Sequence, residues 1–226
     1  MVHSPLRILI AAGPTHERID AVRYLANRSS GRMGEALADA AVERGASVTL
    51  LLGPTSREPA RRWLEAAIRF ESCSDLQALL RREAPRHDCL FMAAAVADHR
   101  PATVAPGKLR REAGDRNLQL IPTPDLLAET TEHRRPGQFM IGFALETPEE
   151  LDHSAREKLR RKRVDAIVAN ELETMGSLTI RGRVYLADGR VLEPPSEADA
   201  AMSKVAFCQW LMETLLPLAE RRRAEA

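Results

Sequence analysis

A chain of 226 residues with 44% hydrophobic content can bury one sizeable core, with or without a small appended unit, so one main domain is expected. Lysine and arginine total 33 against 32 aspartate and glutamate, a formal net charge of +1, which excludes an overall field drawing the chain to nucleic acid or to a membrane surface. No run approaches the roughly 18 apolar residues of a membrane span, and the opening MVHSPLRILIAAGPT lacks the pattern of a secretory leader, so a cytoplasmic protein is expected. Cys73, Cys89 and Cys208 are widely spaced, without a CxxC or a nearby histidine pair, and read as reduced structural thiols.

In chain order, RILIAA (7–12) is a compact apolar run closed by Gly13-Pro14, the pattern of a buried parallel strand. After a long loop, GRMGEALADAAVERG places Met33, Leu37, Ala40 and Ala41 at helical spacing with Gly45 as a stop, and SVTLLLG follows as a second strand. Alternation continues with a helix near 74–84, a strand at CLFMAAAVA, a helix near 124–132, a strand at FMIGFAL, a helix near 148–163 and a strand at DAIVAN. The expected fold is α/β: a Rossmann-like parallel sheet with helices on both faces. Past Asn170 the composition shifts, and SLTIRGRVYLADGRVLE carries two β-rich stretches around Ala187-Asp188-Gly189, a hairpin signal. Residues 199–223 read as an amphipathic helix with a basic end. The chain thus divides into a core over 3–170, a β-rich segment over 171–196 and a C-terminal helix over 197–226 that packs on the core, all in one domain.

Open parallel sheets bind ligands outside the carboxyl ends of their strands, where loops converge and helix N-termini offer N–H groups to anions. NRSSGRMG (27–34) lies at that edge: Gly31 and Gly34 allow close backbone approach, while Asn27, Ser29 and Ser30 either cap the helix or bind ligand oxygens. No GxGxxG is present, and the fourteen positions between Gly13 and Arg28 are too many for the tight dinucleotide turn. A second candidate is AAAVADHRPATVAPGKLRR (93–111), a buried strand that ends in Asp98 and runs into a lid-like loop carrying Lys108; the alternative is a turn-capping acid and a solvated basic run. In TPEELDHSAREKLRRKR, Lys158 and Lys162 share a helix face, and Thr147 with Glu150 matches a capping box.

These segments together resemble the phosphopantothenate-cysteine ligase family, also called phosphopantothenoylcysteine synthetase. AAGPTHERIDAVRYLANRSSGRMGEALADAA resembles its opening signature, and AAAVADHRPATVAPGKLRR, PTPDLL, IGFALET, AREKLRRK and IVAN follow in the family's order. The resemblance implies joining 4'-phosphopantothenate to L-cysteine through an acyl nucleotide, in coenzyme A biosynthesis. It implies roles for Asn27 and Lys108 in catalysis, with Arg28, Ser29, Ser30, Gly31 and Gly34 around the acyl and phosphate groups. Gly13, Ala94, Asp98, Lys108, Pro124, Phe143, Lys158 and Lys162 fall at nucleotide positions. CTP, or ATP, is the implied co-substrate, with Mg2+ held mainly by the triphosphate and no certain protein metal ligand. No FMN is expected, because the family's flavin-dependent decarboxylase half is missing from this sequence and would be a separate partner. The β-rich segment is expected to join a homodimer.

Two departures stand out: Leu109-Arg110-Arg111 where many relatives carry lysines, and SLTIRGRVYL where relatives often show a Phe and an Asp-Asn element. Competing readings are an NAD(P)-dependent oxidoreductase, motivated by the βαβ opening, and a catalytically silent nucleotide-binding module.

Overall fold

The computed structural model describes residues 4–56, 58–111, 117–195 and 201–226. Eight strands form the main sheet: β1 (Arg7–Pro14), β2 (Ser47–Leu52), β3 (Ile68–Arg69), β4 (Cys89–Ala95), β5 (Phe139–Glu146), β6 (Ala166–Glu171), β7 (Gly182–Leu186) and β8 (Val191–Leu192). Their order is β8-β7-β6-β5-β4-β1-β2-β3. Pairings from β3 through β6 are parallel, and β7 and β8 add an antiparallel edge. Strand order therefore reverses between β1 and β4, where Gly13 stands beside Ala94 and Pro14 beside Ala95.

Period-two alternation sends neighbouring side chains of β1 into two separate cores. Ile8, Ile10 and Ala12 pack with Leu37 of α1 (Arg32–Glu43) and with Phe207, Leu211 and Leu215 of the C-terminal helix, whereas Leu9 and Ala11 pack on the other face with Leu76 and Leu80 of α2 (Cys73–Glu83). That second face also receives α3 (Leu126–Glu132) and α4 (Leu151–Lys162). The expected sheet with helices on both faces is present. All three cysteines are buried and unpaired.

Four features differ from expectation. The long loop after β1 holds a small hairpin, Glu17–Arg18 with Tyr24–Leu25, and the stretch after β4 forms another, His99–Pro101 with Leu120–Pro122. The β-rich segment is less separate than expected: β7 is buried at Val184, Tyr185 and Leu186 and pairs with β6, so it continues the core sheet. Its turn forms as read, with the Gly189 N–H donating to Leu186 O at 3.0 Å. Thr147 and Glu150 make no capping box; 147–150 is a turn whose Glu150 N–H donates to Thr147 O, and α4 starts at Leu151. Pro148 is suited to the second position of such a turn. Finally, α5 runs Lys204–Ala224 behind a Ser203 cap; positions 199 and 200 of the expected helix lie outside the described residues.

Candidate functional site

A cleft of about 700 Å³ opens over the carboxyl ends of β4, β5 and β6, beside the point where strand order reverses. Both the place and the size suit a small-molecule ligand. Residues 27–34 form one wall, 92–98 the floor, 123–127 with 143–145 a second wall, and Asn170, Thr174, Met175 and Gly176 a third.

The Asn27 side chain donates from Nδ2 to Val96 O at 2.9 Å, tying the loop to the end of β4. A carboxamide carries two N–H donors and an acceptor, so the rest of the group is available to a ligand. Helix capping does not explain the polar residues here: Gly31 is the N-cap of α1, no side chain caps it, and Ser29 Oγ only receives a 3.4 Å contact from the Gly31 N–H. Gly31 has φ 73°, a left-handed conformation that a side chain would strain. Gly34 is required for a different reason, since a Cβ there would lie 2.0 Å from Ala12 Cβ. The helix start is thereby pressed against β1, and its first residues line the cleft.

Among the described residues the cleft is lined by Arg28, Arg32, Lys158, Arg161, Lys162 and Lys204 against Asp98 and Asp125, an excess suited to anions. Lys158 is bound to Glu146 at 2.6 Å and Lys162 to Asp125 at 2.7 Å. Burial, the largest single effect, raises the pKa of both carboxyls, but the hydrogen bonds and charges of Lys162 with the Ala128 N–H on Asp125, and of Lys158 with Ser154 on Glu146, together outweigh it and leave each below its ordinary value. Lys158 and Lys162, on one face of α4 as their spacing implies, both line the cleft. Ala94, Pro124 and Phe143 also line the cleft, and exposed Asp98 lies at its rim, accepting from the Thr123 N–H through its carbonyl.

Two expected residues lie elsewhere. Lys108 is exposed outside the lining, on a loop held at its base by the Leu109 N–H donating to Asp20 Oδ2 at 3.0 Å and Arg23 donating to Leu109 O at 3.0 Å. Gly13 rests against Gly53 and pairs beside the lining residue Ala94 without itself lining the cleft. Sequence reasoning missed Arg32, Arg161, Lys204 and the 174–176 turn. A usable signal existed: α1 and α5 both begin with a cation, where the helix dipole favours an acid.

No group of three or more His, Cys, Asp or Glu among the described residues is placed to hold a metal ion. Among them, no helix is long and apolar enough to cross a membrane.

An open, mostly parallel sheet with this strand order, bearing a cationic cleft at its switch point, defines an α/β protein whose cleft is suited in place and charge to phosphorylated or nucleotide ligands. The chain belongs to the family described as DNA/pantothenate metabolism flavoprotein C-terminal domain, whose model matches residues 4–216. It is 40% identical over 218 residues to the coenzyme A biosynthesis bifunctional protein CoaBC of Bacillus subtilis, covering 95% of this chain and 52% of that one. A protein called cysteine/cysteine sulfinic acid decarboxylase, from an unknown prokaryotic organism, is 42% identical over 171 residues, covering 76% of this chain and 47% of that one. The chain thus spans about half the length of these curated relatives. The crystal structure of the C-terminal domain of a CoaBC protein superposes with a TM-score of 0.77 at 34% identity, covering 96% of both chains.

Proposed function

We propose that this chain is a phosphopantothenate-cysteine ligase of coenzyme A biosynthesis. The observation that carries the reading is a single cleft in which Asn27 stands at the sheet edge between two groups of cations, Lys158 with Lys162 and Arg32 with Lys204. Membership of a pantothenate-metabolism family and similarity to a coenzyme A biosynthesis protein support it.

A carboxylate is inert to amines until an oxygen is made a leaving group. In the first step a substrate carboxylate oxygen attacks the α-phosphorus of CTP, forming an acyl-CMP and expelling pyrophosphate. In the second, the cysteine amine attacks the acyl carbon, CMP departs with the bridging oxygen, and the amine proton is lost to solvent. Negative charge grows on phosphate in one step and on the tetrahedral oxygen in the other, so fixed donors and cations stabilise both. Lys158 and Lys162, already held by carboxylates, are preorganised to receive the triphosphate. Lys108 approaches from its loop, and the remaining Asn27 amide donor serves the oxyanion. Mg2+ carried on the triphosphate would neutralise charge there; Asp98 is the carboxylate of the lining placed to help hold it, Asp125 being engaged by Lys162 and by the Ala128 N–H. CTP is favoured over ATP because the motifs resemble the bacterial form. β8, the terminal strand of the main sheet, offers an edge for pairing with a second copy in a homodimer.

The test uses purified chain with phosphopantothenate, cysteine and either nucleotide. Expected products are CMP, pyrophosphate and the amide, with a larger specificity constant for CTP, and a light-scattering mass near two chains. Pyrophosphate release that ignores phosphopantothenate would sink the ligase reading; a tenfold preference for ATP would overturn the nucleotide choice, and a fully active monomer the dimer.

A further inference from the structure

The cleft crosses the sheet edge. Its Lys158 and Lys162 end belongs to α4, which covers one face, whereas Arg32 and Lys204 open α1 and α5, which pack together on the other. The two ends also differ in how their charge is balanced. Lys158 and Lys162 each hold a carboxylate. Lys204 instead donates to Thr174 O at 3.2 Å and Arg32 to Gly176 O at 3.4 Å, and among the described residues neither has a carboxylate within ion-pair reach. Half-burial lowers the Lys204 pKa, and the Arg32 charge lowers it further. Two cations placed near each other at the positive ends of two helices oppose every local preference, so the arrangement is unfavourable until an anion joins it.

We infer that Arg32 and Lys204 form the receptor for the phosphomonoester of the acid substrate, fixing its orientation so that the carboxylate lies at Asn27 while the triphosphate occupies the opposite end. This rests on the ligase reading above. A dianionic phosphate accepts from both side chains at once and supplies the counter-charge the pair lacks. The carbonyls of Thr174 and Gly176, which occupy these donors now, give up their bonds without becoming buried orphans, since Thr174 O still accepts from the Ser177 N–H at 3.2 Å and Gly176 is exposed. Lys204 and Arg32 are thus specificity-determining residues: they select the phosphorylated acid over the same acid without phosphate.

Calorimetric titration of phosphopantothenate into the wild-type chain and into Lys204→Met, together with turnover of phosphopantothenate and of unphosphorylated pantothenate, tests the assignment. Losing a charge-assisted hydrogen bond should weaken phosphopantothenate binding and its kcat/KM by about 10- to 100-fold. The nucleotide KM and the residual rate with pantothenate should stay within about twofold, and Lys204→Arg should restore most of the loss. Arg32→Gln should repeat the pattern and serves as the second variant if Lys204→Met melts early. An equal loss on both acids, or a rise in nucleotide KM instead, would overturn the receptor while the wild-type activity left the ligase reading standing. Wild-type chain that binds no phosphopantothenate would overturn both.

Discussion

Asn27 gives one amide hydrogen to Val96 O and keeps the other for a ligand, which separates its role from that of the cations around it. A neutral donor contributes little to holding a triphosphate and much to a developing oxyanion, where losing one donor typically costs about 2.7 to 4 kcal/mol, or roughly 100- to 1,000-fold in rate. Asn27→Ala should therefore release pyrophosphate, stall before cysteine transfer and accumulate the acyl nucleotide, visible by chromatography of quenched reactions. Unchanged turnover, or loss of pyrophosphate release in a folded variant, would show that Asn27 does not act on the second step. Asn27 was legible because its motif is long and specific. Arg32 and Lys204 were missed because a cation at a helix start is a weak signal when taken alone, and its meaning emerges only when the two helix starts are seen together.

At the scale of elements, the decisive contact is α1 against β1. Gly34 presses on Ala12, and a methyl added there would have to occupy the space of Ala12 Cβ, 2.0 Å away. Neither atom lies at the end of a flexible chain, so the helix must shift. Gly34→Ala is expected to destabilise the fold by about 1 to 3 kcal/mol, a drop of roughly 2–12 °C in Tm for a domain of this size, and to weaken nucleotide or substrate binding as the 27–34 loop moves. Thermal melts of the apo variant check it, and an unchanged Tm would show that the helix is free to slide. The same packing explains what could be read in advance. β1, β2, β4, β5 and β6 are nearly continuous apolar runs because both faces are covered, and such runs are distinctive. The hairpins at 17–25 and 99–122 escaped because their strands have only two or three residues, set by tertiary pairing and not by alternation. The false capping box shows the converse: residue types matched, but the turn at Pro148 placed Glu150 one position before α4.

Across the whole molecule, the edge of the sheet opposite the cleft is fastened by two buried aspartates. Asp88 accepts from the Arg7 backbone and side chain at 3.0 Å and lies 3.5 Å from Arg223 at the far end of α5. Asp165 accepts from the Met140 N–H at 2.8 Å and pairs with Arg134 at 2.9 Å, with Arg222 at 3.8 Å. The chain's two ends are thereby joined through the strands that carry the site. Burial alone would raise the Asp88 pKa, but the Arg7 hydrogen bonds and the nearby Arg223 outweigh it and hold it below the ordinary 3.8. A carboxyl depressed in the folded state contributes stability above its unfolded pKa, and that contribution is lost as pH falls through the depressed folded value. Asp88→Asn keeps the shape and removes the charge, so at pH 7 it should destabilise by about 1 to 3 kcal/mol, moderated by the exposure of Arg7. Acidification protonates Asp88 in the parent and makes it resemble the variant. Calorimetric melts taken from pH 7 down to about pH 3 should show the difference in Tm between the two proteins shrinking toward zero below the ordinary carboxyl range. A gap that stays constant with pH would mean that the charge of Asp88 does not hold the two ends together and that shape alone does.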